Sequence, residues 1–289
     1  MLAMQNTDNF SYDLHSHTTE SDGSLTVSEL LMRADIKQVN ALAITDHDTI
    51  NGLVKAKQYI EEQSLKIKLV NGVEISTKWH GFEIHVIGLC LDLENEHLND
   101  LLTKQQNARR IRAKLVAEKL EKKGYVGIYQ DAYDLAGSDH ISRTHFAKAL
   151  INRGGVAHFN GAFKKYLGKG KSCYVAAEWV SIEEAVAAIN AAGGIAVLAH
   201  PIRYDMSNKW LAKLVAQFAE AQGAGLEVGL TQITPNQRTH LSNLAQQHDL
   251  YSSQGSDFHG PARWIELGRN LKLGEHCKPV WEHPKWRFA

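Results

Sequence analysis

Sulfur is scarce in this chain. Its 289 residues include three cysteines, Cys90, Cys173 and Cys277, far apart and with no CxxC pair. Neither a thiolate zinc site nor a disulfide framework is indicated. Charge of one sign is also lacking: 32 Lys and Arg balance 32 Asp and Glu. The whole molecule therefore does not draw polyanions by bulk charge, and any nucleic-acid contact needs a local patch. Long apolar runs are missing too. The best, "GGIAVLA" at 193–199, falls well short of the roughly 20 residues of a membrane span. The opening "MLAMQNTDNF" has no basic stretch followed by an apolar core, so it does not read as a secretory signal. These absences point to a cytoplasmic protein with no membrane segment. No low-complexity tract, short-period repeat, DNA-specific motif or RNP-type aromatic motif occurs.

What remains is a chain that is 44% hydrophobic and carries 15 histidines. The length fits one large domain, or one domain carrying an insertion. In the first hundred residues, short apolar strands such as "ALAITDH", "IKLVNGVEIST" and "FEIHVIGL" alternate with helical stretches such as "DTINGLVKAKQYIEEQS", the pattern of parallel β/α units. Then the pattern breaks. "EHLNDLLTKQQNARRIRAKLVAEKLEKKG" reads as one long charged helix ending at Gly124, followed by short helical pieces without a clear strand. Alternation resumes with "SIEEAVAAINAAGG" and "IAVLAHP", and runs to "YSSQGSDFHG". We read residues 10–96 and 171–275 as a main α/β domain, 97–170 as a small helical insertion, and 276–289 as a C-terminal tail without an assigned role. About seven β/α units suit a closed barrel of parallel strands, or less well an open doubly wound sheet.

Histidines and acids gather where these strands end. In "DLHSHTTESDG", His15 and His17 are two apart, so on a strand both imidazoles face one way. Asp22 follows on a glycine turn. "SDFH" repeats the spacing with Asp257 and His259. His47, Glu74, His85 and His200 complete a set of six nitrogen and three oxygen donors without sulfur. Taken alone, His85 in "FEIHVIG" reads as a core or surface histidine, and "HSH" is a weak motif. Their joint occurrence at successive strand ends is what argues for metal. Nine donors exceed what one ion takes, so two or three ions are expected, with zinc, iron or manganese suiting this mix. Asp46 and Asp48 flank His47, and we expect one to orient a ligand imidazole and the other to cap a helix. Glu227 in "GLEVG" is left as a structural residue, and His97, His158, His240, His248, His276 and His283 as surface residues.

These segments, with "ITDHDT", "NGVEIS", "EIHVIGL", "LAHP" and "GSDFHG", run in the order of the PHP (polymerase and histidinol phosphatase) family. The chain resembles that family over about residues 10–270. The resemblance implies a distorted (β/α)7 barrel holding three divalent ions, usually manganese. It assigns His15, His17, Glu74 and Asp257 to the first ion, Glu74, His85 and His200 to the second, and Asp22, His47 and His259 to the third. His145 in "SRTHFA" rivals His200. The closest branch resembles bacterial enzymes that remove the 3′-phosphate of nucleoside 3′,5′-bisphosphates. They also shorten small RNAs from the 5′ end, and are implicated in trimming ribosomal RNA. One departure from that branch is "DFHGPAR", where more variation is expected than elsewhere; it lies beside the site and could alter substrate preference.

For such a substrate no side chain is expected as nucleophile; a hydroxide generated by the ions takes that part. A 5′-phosphate needs its own anion pocket, for which Arg143 and Arg203 are the candidates, with His145 as helper. The runs "NARRIRAK" and "FKKYLGKGK" are candidate RNA guides, against the alternative of solvated helix faces. Phe163 and Tyr166 are candidates to stack a base, against core packing. A histidinol phosphate phosphatase is the rival enzyme, and a non-catalytic metal-binding module the rival outside catalysis. The complete donor set argues against the latter.

Overall fold

A computed structural model of the chain describes residues 10–289; all but the last residue of the opening segment read above as lacking a signal lie outside them. The elements are β1 (Tyr12–Asp13), α1 (Val27–Ile36), β2 (Ala41–Ile44), α2 (Asn51–Gln63), β3 (Lys68–Trp79) and β4 (Phe82–Leu89). Then come α3 (Glu96–Glu121), α4 (Ile128–Ala136), α5 (Arg143–Asn152) and α6 (Phe159–Ala162). The chain returns through β5 (Val180–Ser181), α7 (Ile182–Ala191), β6 (Ile195–Leu198), α8 (Asn208–Glu220), β7 (Gly225–Leu230), α9 (Pro235–Gln247) and β8 (Tyr251–Gly255).

Seven strands form a nearly closed barrel in the order β1-β2-β3-β4-β6-β7-β8, with β5 pairing β3 off that path. The two ends meet where Leu14 N–H donates to Gln254 O at 3.0 Å and Asp257 N–H to His15 O at 2.9 Å. The barrel interior is filled by Leu14, Ala43, Val70, Ile87, Ile195 and Val197. Helix starts follow their capping chemistry. Thr26, Ser181 and Thr234 each cap a helix whose third residue is Glu or Gln reaching back to the cap, satisfying orphan amides at both ends of the exchange.

One strand departs from the parallel expectation. β4 runs antiparallel to both β3 and β6. The reason is the two-residue turn His80-Gly81, both at positive φ, which is the turn that matches the twist of a tight hairpin. The hairpin has a consequence for the site. Glu74 lies in mid-strand rather than at a strand end, and His85, early in β4, is brought back beside it through the pairing of Ser76 with His85.

α3 to α6 pack around a core of their own, with Val116, Leu120, Ile128, Phe146, Leu150 and Leu167 buried together. Tyr166 belongs to this core and shares a 3.1 Å hydrogen bond with Tyr125, so packing and not base stacking explains it. The C-terminal segment also packs. Trp281 stacks on Tyr12 with centroids 4.0 Å apart, Val280 is fully buried, and Ser252 N–H donates to Lys278 O at 2.7 Å.

Candidate metal centre

The nine donors read from the sequence meet at the end of the barrel where β1, β2 and β8 finish. His15 and His17 follow β1 in extended chain; both are fully buried, their rings 5.1 Å apart. Close packing places them: a Cβ on Gly255 would strike His15, and one on Gly23 would lie 2.5 Å from His17 O. Asp257 and His200 are held at positive φ, a strained state that persists only where surrounding contacts over-determine it.

Among the described residues, ligand atoms of eight of the nine donors, all but His200, form three overlapping groups, each within 4.8 Å. One is His15, His17, Glu74 and Asp257. The second is His47, Glu74 and His85. The third is His17, Asp22, His47 and His259. Glu74 is shared: its Oε1 lies 2.9 Å from His85 Nδ1 and 2.9 Å from His200 Nε2, and its Oε2 lies 3.1 Å from His47 Nδ1 and 3.3 Å from His15 Nε2. The structure thus puts His200 against Glu74. His145 does not reach Glu74; its Nδ1 instead accepts the Ser142 N–H at 3.1 Å, at the start of α5.

The donors fit cations. His15 Nε2, His47 Nδ1, Asp22 Oδ1 and Glu74 Oε2 are buried and make no hydrogen bond. A buried polar atom left unpaired costs about 1–3 kcal/mol. Several lone pairs facing one another at contact distance make sense when an ion satisfies them together. Burial would raise the Glu74 carboxyl, but the imidazoles of His47, His15 and His85 outweigh it and hold it well below the usual carboxylate range. Burial holds His47 well below the usual imidazole range and His200 down to about 4, whereas the carboxylates of Glu227 and Glu74 outweigh burial and raise His15 to about 10, and Glu74 likewise raises His85. Metal binds neutral imidazole and ionised carboxylate, so the positive charge that Glu74 draws to His15 and His85 is charge that a bound cation would supply in place of protons.

Glu227, left without a role by the sequence, is part of this site. It is fully buried on β7. Its Oε1 sits 3.0 Å from His15 Nδ1, and its Oε2 accepts the His200 N–H at 2.6 Å. It therefore fixes which nitrogen of His15 faces Glu74. Asp46 and Asp48 do neither of the things expected of them. Asp46 accepts from Thr18 and Ser21 and so ties down the loop after His17. Asp48 accepts from Arg109 Nε at 2.7 Å, Gln105 at 3.0 Å and Ser76 N–H at 2.8 Å, while the residue that precedes α2 is Ile50, which offers no side-chain cap.

Over the donors lies a cleft walled by Asp22, His47 and His85 on the barrel side and by Arg109, Arg112, Arg143, Thr144 and Phe163 on the α3–α6 side. The run "NARRIRAK" thus splits by helical period: Arg109 and Arg112 turn inward, while Arg110 and Ile111 stay exposed. Arg143 pairs with Glu83 at 2.7 Å, and Arg112 with the other oxygen of Glu83 at 3.1 Å. Thr144 Oγ1 donates to Asp22 Oδ2 at 3.0 Å. Arg203 stands elsewhere on the rim, after β6, against Asp257.

The sequence profile of the PHP domain matches residues 13–197. The chain belongs to the PHP family. This PHP chain is 48% identical over 271 residues to the 5′-3′ exoribonuclease Rnm of Salmonella typhimurium, covering 94% of this chain and 92% of that one. It is 37% identical over 278 residues to a 3′,5′-nucleoside bisphosphate phosphatase of Chromobacterium violaceum, covering 96% and 97%. Among solved structures, an amidohydrolase from Chromobacterium violaceum with bound sulfate superposes at a TM-score of 0.87, with 37% identity and 94% of each chain covered. Among the described residues of this PHP chain, no helix is long and apolar enough to cross a membrane.

Proposed function

We propose that this chain is a metal-dependent phosphoesterase that removes the 3′-phosphate of nucleoside 3′,5′-bisphosphates and degrades short 5′-phosphorylated RNA from its 5′ end. The observation that carries the reading is the cleft, which sets unpaired metal-type donors against buried arginines. One nitrogen of Arg112, Nη2, is buried without a hydrogen-bond partner. A buried guanidinium with an unmet donor beside a cleft is suited to an anion that enters from solvent. The names of the relatives agree with phosphate on a nucleotide or an RNA end.

His15, His17, Glu74 and Asp257 would hold one ion; Glu74, His85 and His200 a second; Asp22, His47 and His259 a third, with His17 and His47 near enough to share. Manganese is the expected ion, and zinc or iron suit the same donors. When bound, such ions lower the pKa of water towards about 7 and offset charge on phosphoryl oxygens. The side chains do the rest. Arg143 and Arg112 anchor the 5′-phosphate, kept in place by Glu83, whose two oxygens hold them. His145, buried at the start of α5 next to the cleft-lining Arg143 and Thr144, would support that pocket from behind. Burial keeps His145 uncharged, down to about 4, so it offers hydrogen bonds without repelling cations. Arg203 would grip the reacting phosphate from the far side of Asp257. Such a substrate agrees with the cytoplasmic setting expected from the sequence.

The test is phosphate release from adenosine 3′,5′-bisphosphate with Mn²⁺, beside 3′-AMP and histidinol phosphate. The bisphosphate should be preferred over 3′-AMP by at least about tenfold, the value of one charge-assisted anchor. Equal rates, or faster histidinol phosphate turnover, would overturn the assignment.

A further inference from the structure

The α3–α6 layer closes only part of the rim. Its polar contacts reach Asp22 after β1, Asp48 after β2, Ser76 on β3 and Glu83 on β4. Among the described residues, no hydrogen bond or ion pair joins it to the segments that follow β6 and β8. Exposure reports the same asymmetry. Asp22, His47 and His85 side chains are 9, 12 and 20% exposed, whereas Arg203 and His259 reach 38 and 37%. The site opens on the Arg203–His259 side.

The chain leaves this opening at His259, passes Ser24 at Gly260 and runs on exposed as Pro261-Ala262-Arg263-Trp264. It is then tied down by Glu266, which accepts from Arg33 Nε and Nη2 at 2.8 and 2.7 Å, and by buried Leu267. Trp264 is 60% exposed, and the Arg263 guanidinium lies 4.8 Å over its ring. Five residues span at most roughly 18 Å, so the indole stays near His259. An exposed indole with an arginine on one face offers a flat ring and a positive charge, the pair on which single-stranded nucleic acids stack their bases.

We propose that the Gly260–Trp264 loop is the exit path for RNA on the 3′ side of the cleaved bond, with Trp264 stacking a base and Arg263 meeting a phosphate. The inference rests on the phosphoesterase reading above. With the 5′-phosphate held under α5 and the scissile phosphate at the donors, the remainder of an RNA has only the open side to leave by. A nucleoside bisphosphate has no such remainder and ends before the loop.

The experiment compares KM for a 5′-phosphorylated hexaribonucleotide with KM for adenosine 3′,5′-bisphosphate in the full-length, Mn²⁺-loaded protein. Trp264→Ala should raise the hexamer KM about tenfold relative to the bisphosphate KM, the effect of losing one stacked base. Trp264→Phe should restore most of it. Arg263→Ala should raise the same ratio and flatten its dependence on salt. Trp210→Ala, an exposed tryptophan elsewhere, should leave the ratio unchanged. A ratio unmoved by Trp264→Ala overturns the path, and so do two constants that rise in parallel, which mean a structural loop. Wild-type protein that cleaves the bisphosphate but not the hexamer also overturns the path while leaving the phosphatase reading in place. Protein that cleaves neither removes that reading and the path with it.

Discussion

Glu227 touches two of the nine donors and is itself none of them. By accepting from His15 and from the backbone at His200, it sets the tautomer of one ring and the backbone placement of the other. Glu227→Gln keeps the shape but loses the charge, and an amide can present its NH₂ where the imidazole N–H must be accepted. Metal affinity should fall about 10- to 100-fold, as it does when such outer carboxylates are lost, while the far-UV spectrum stays that of the wild type. Competition against a fluorescent chelator measures it; unchanged affinity would reduce Glu227 to a packing residue. This scale also shows what was readable. "HSH" and "SDFH" carry their geometry in their spacing, because neighbours two apart on extended chain face the same way. Glu227 carries no such mark. Its partner is 212 positions away, and only barrel closure brings β7 against the residues after β1.

At the scale of elements, two joints hold the site's surroundings. The first is Asp48, at positive φ beside His47, gripping Arg109 on α3. Both side chains are at most 7% exposed. Asp48→Ala leaves a buried guanidinium without its counter-charge and should destabilise the fold by about 3–5 kcal/mol, read as a lower urea midpoint. A loss under about 1 kcal/mol would mean that water reaches Arg109 freely. The second joint is Glu266, which ties the loop after His259 to α1. Burial would raise its carboxyl, but hydrogen bonds from Arg33 and Lys37 outweigh this and hold it at about 2. The folded value lies below the unfolded one, about 4.3. The joint therefore stabilises fully above that pH and is lost as pH falls through about 2. The difference in Tm between wild type and Glu266→Gln should be complete at pH 6 and should shrink from about pH 4 down to pH 2. A gap constant with pH would refute the joint. Elements were legible where local chemistry decides them, as in the capped helices. The hairpin was missed because its turn, His80-Gly81, lacks the usual Asn or Asp before glycine, and strand direction is not written in a strand's own residues.

For the whole molecule, fold and site are one object. The donors run from His15 to His259 and come from the ends or middles of six barrel strands, so they assemble only when the barrel closes. The converse follows. Without ions the barrel must bury a shared carboxylate, several imidazoles and at least four polar atoms that no hydrogen bond satisfies. Ions bound by the folded chain and not by the unfolded one add stability by mass action, about 2.7 kcal/mol when free metal is a hundredfold above Kd. Removing metal with a chelator, with loss confirmed by elemental analysis, should lower Tm by several degrees, and Mn²⁺ should restore it. Replacing Glu74 by Gln should abolish most of that Mn²⁺-dependent rise, because Glu74 borders two of the three donor groups, whereas a distant exposed change such as Lys285→Ala should keep it. If complete chelation leaves Tm unmoved, the unpaired donors are satisfied by something other than metal, and the case for the centre made from their burial fails even if the barrel is right.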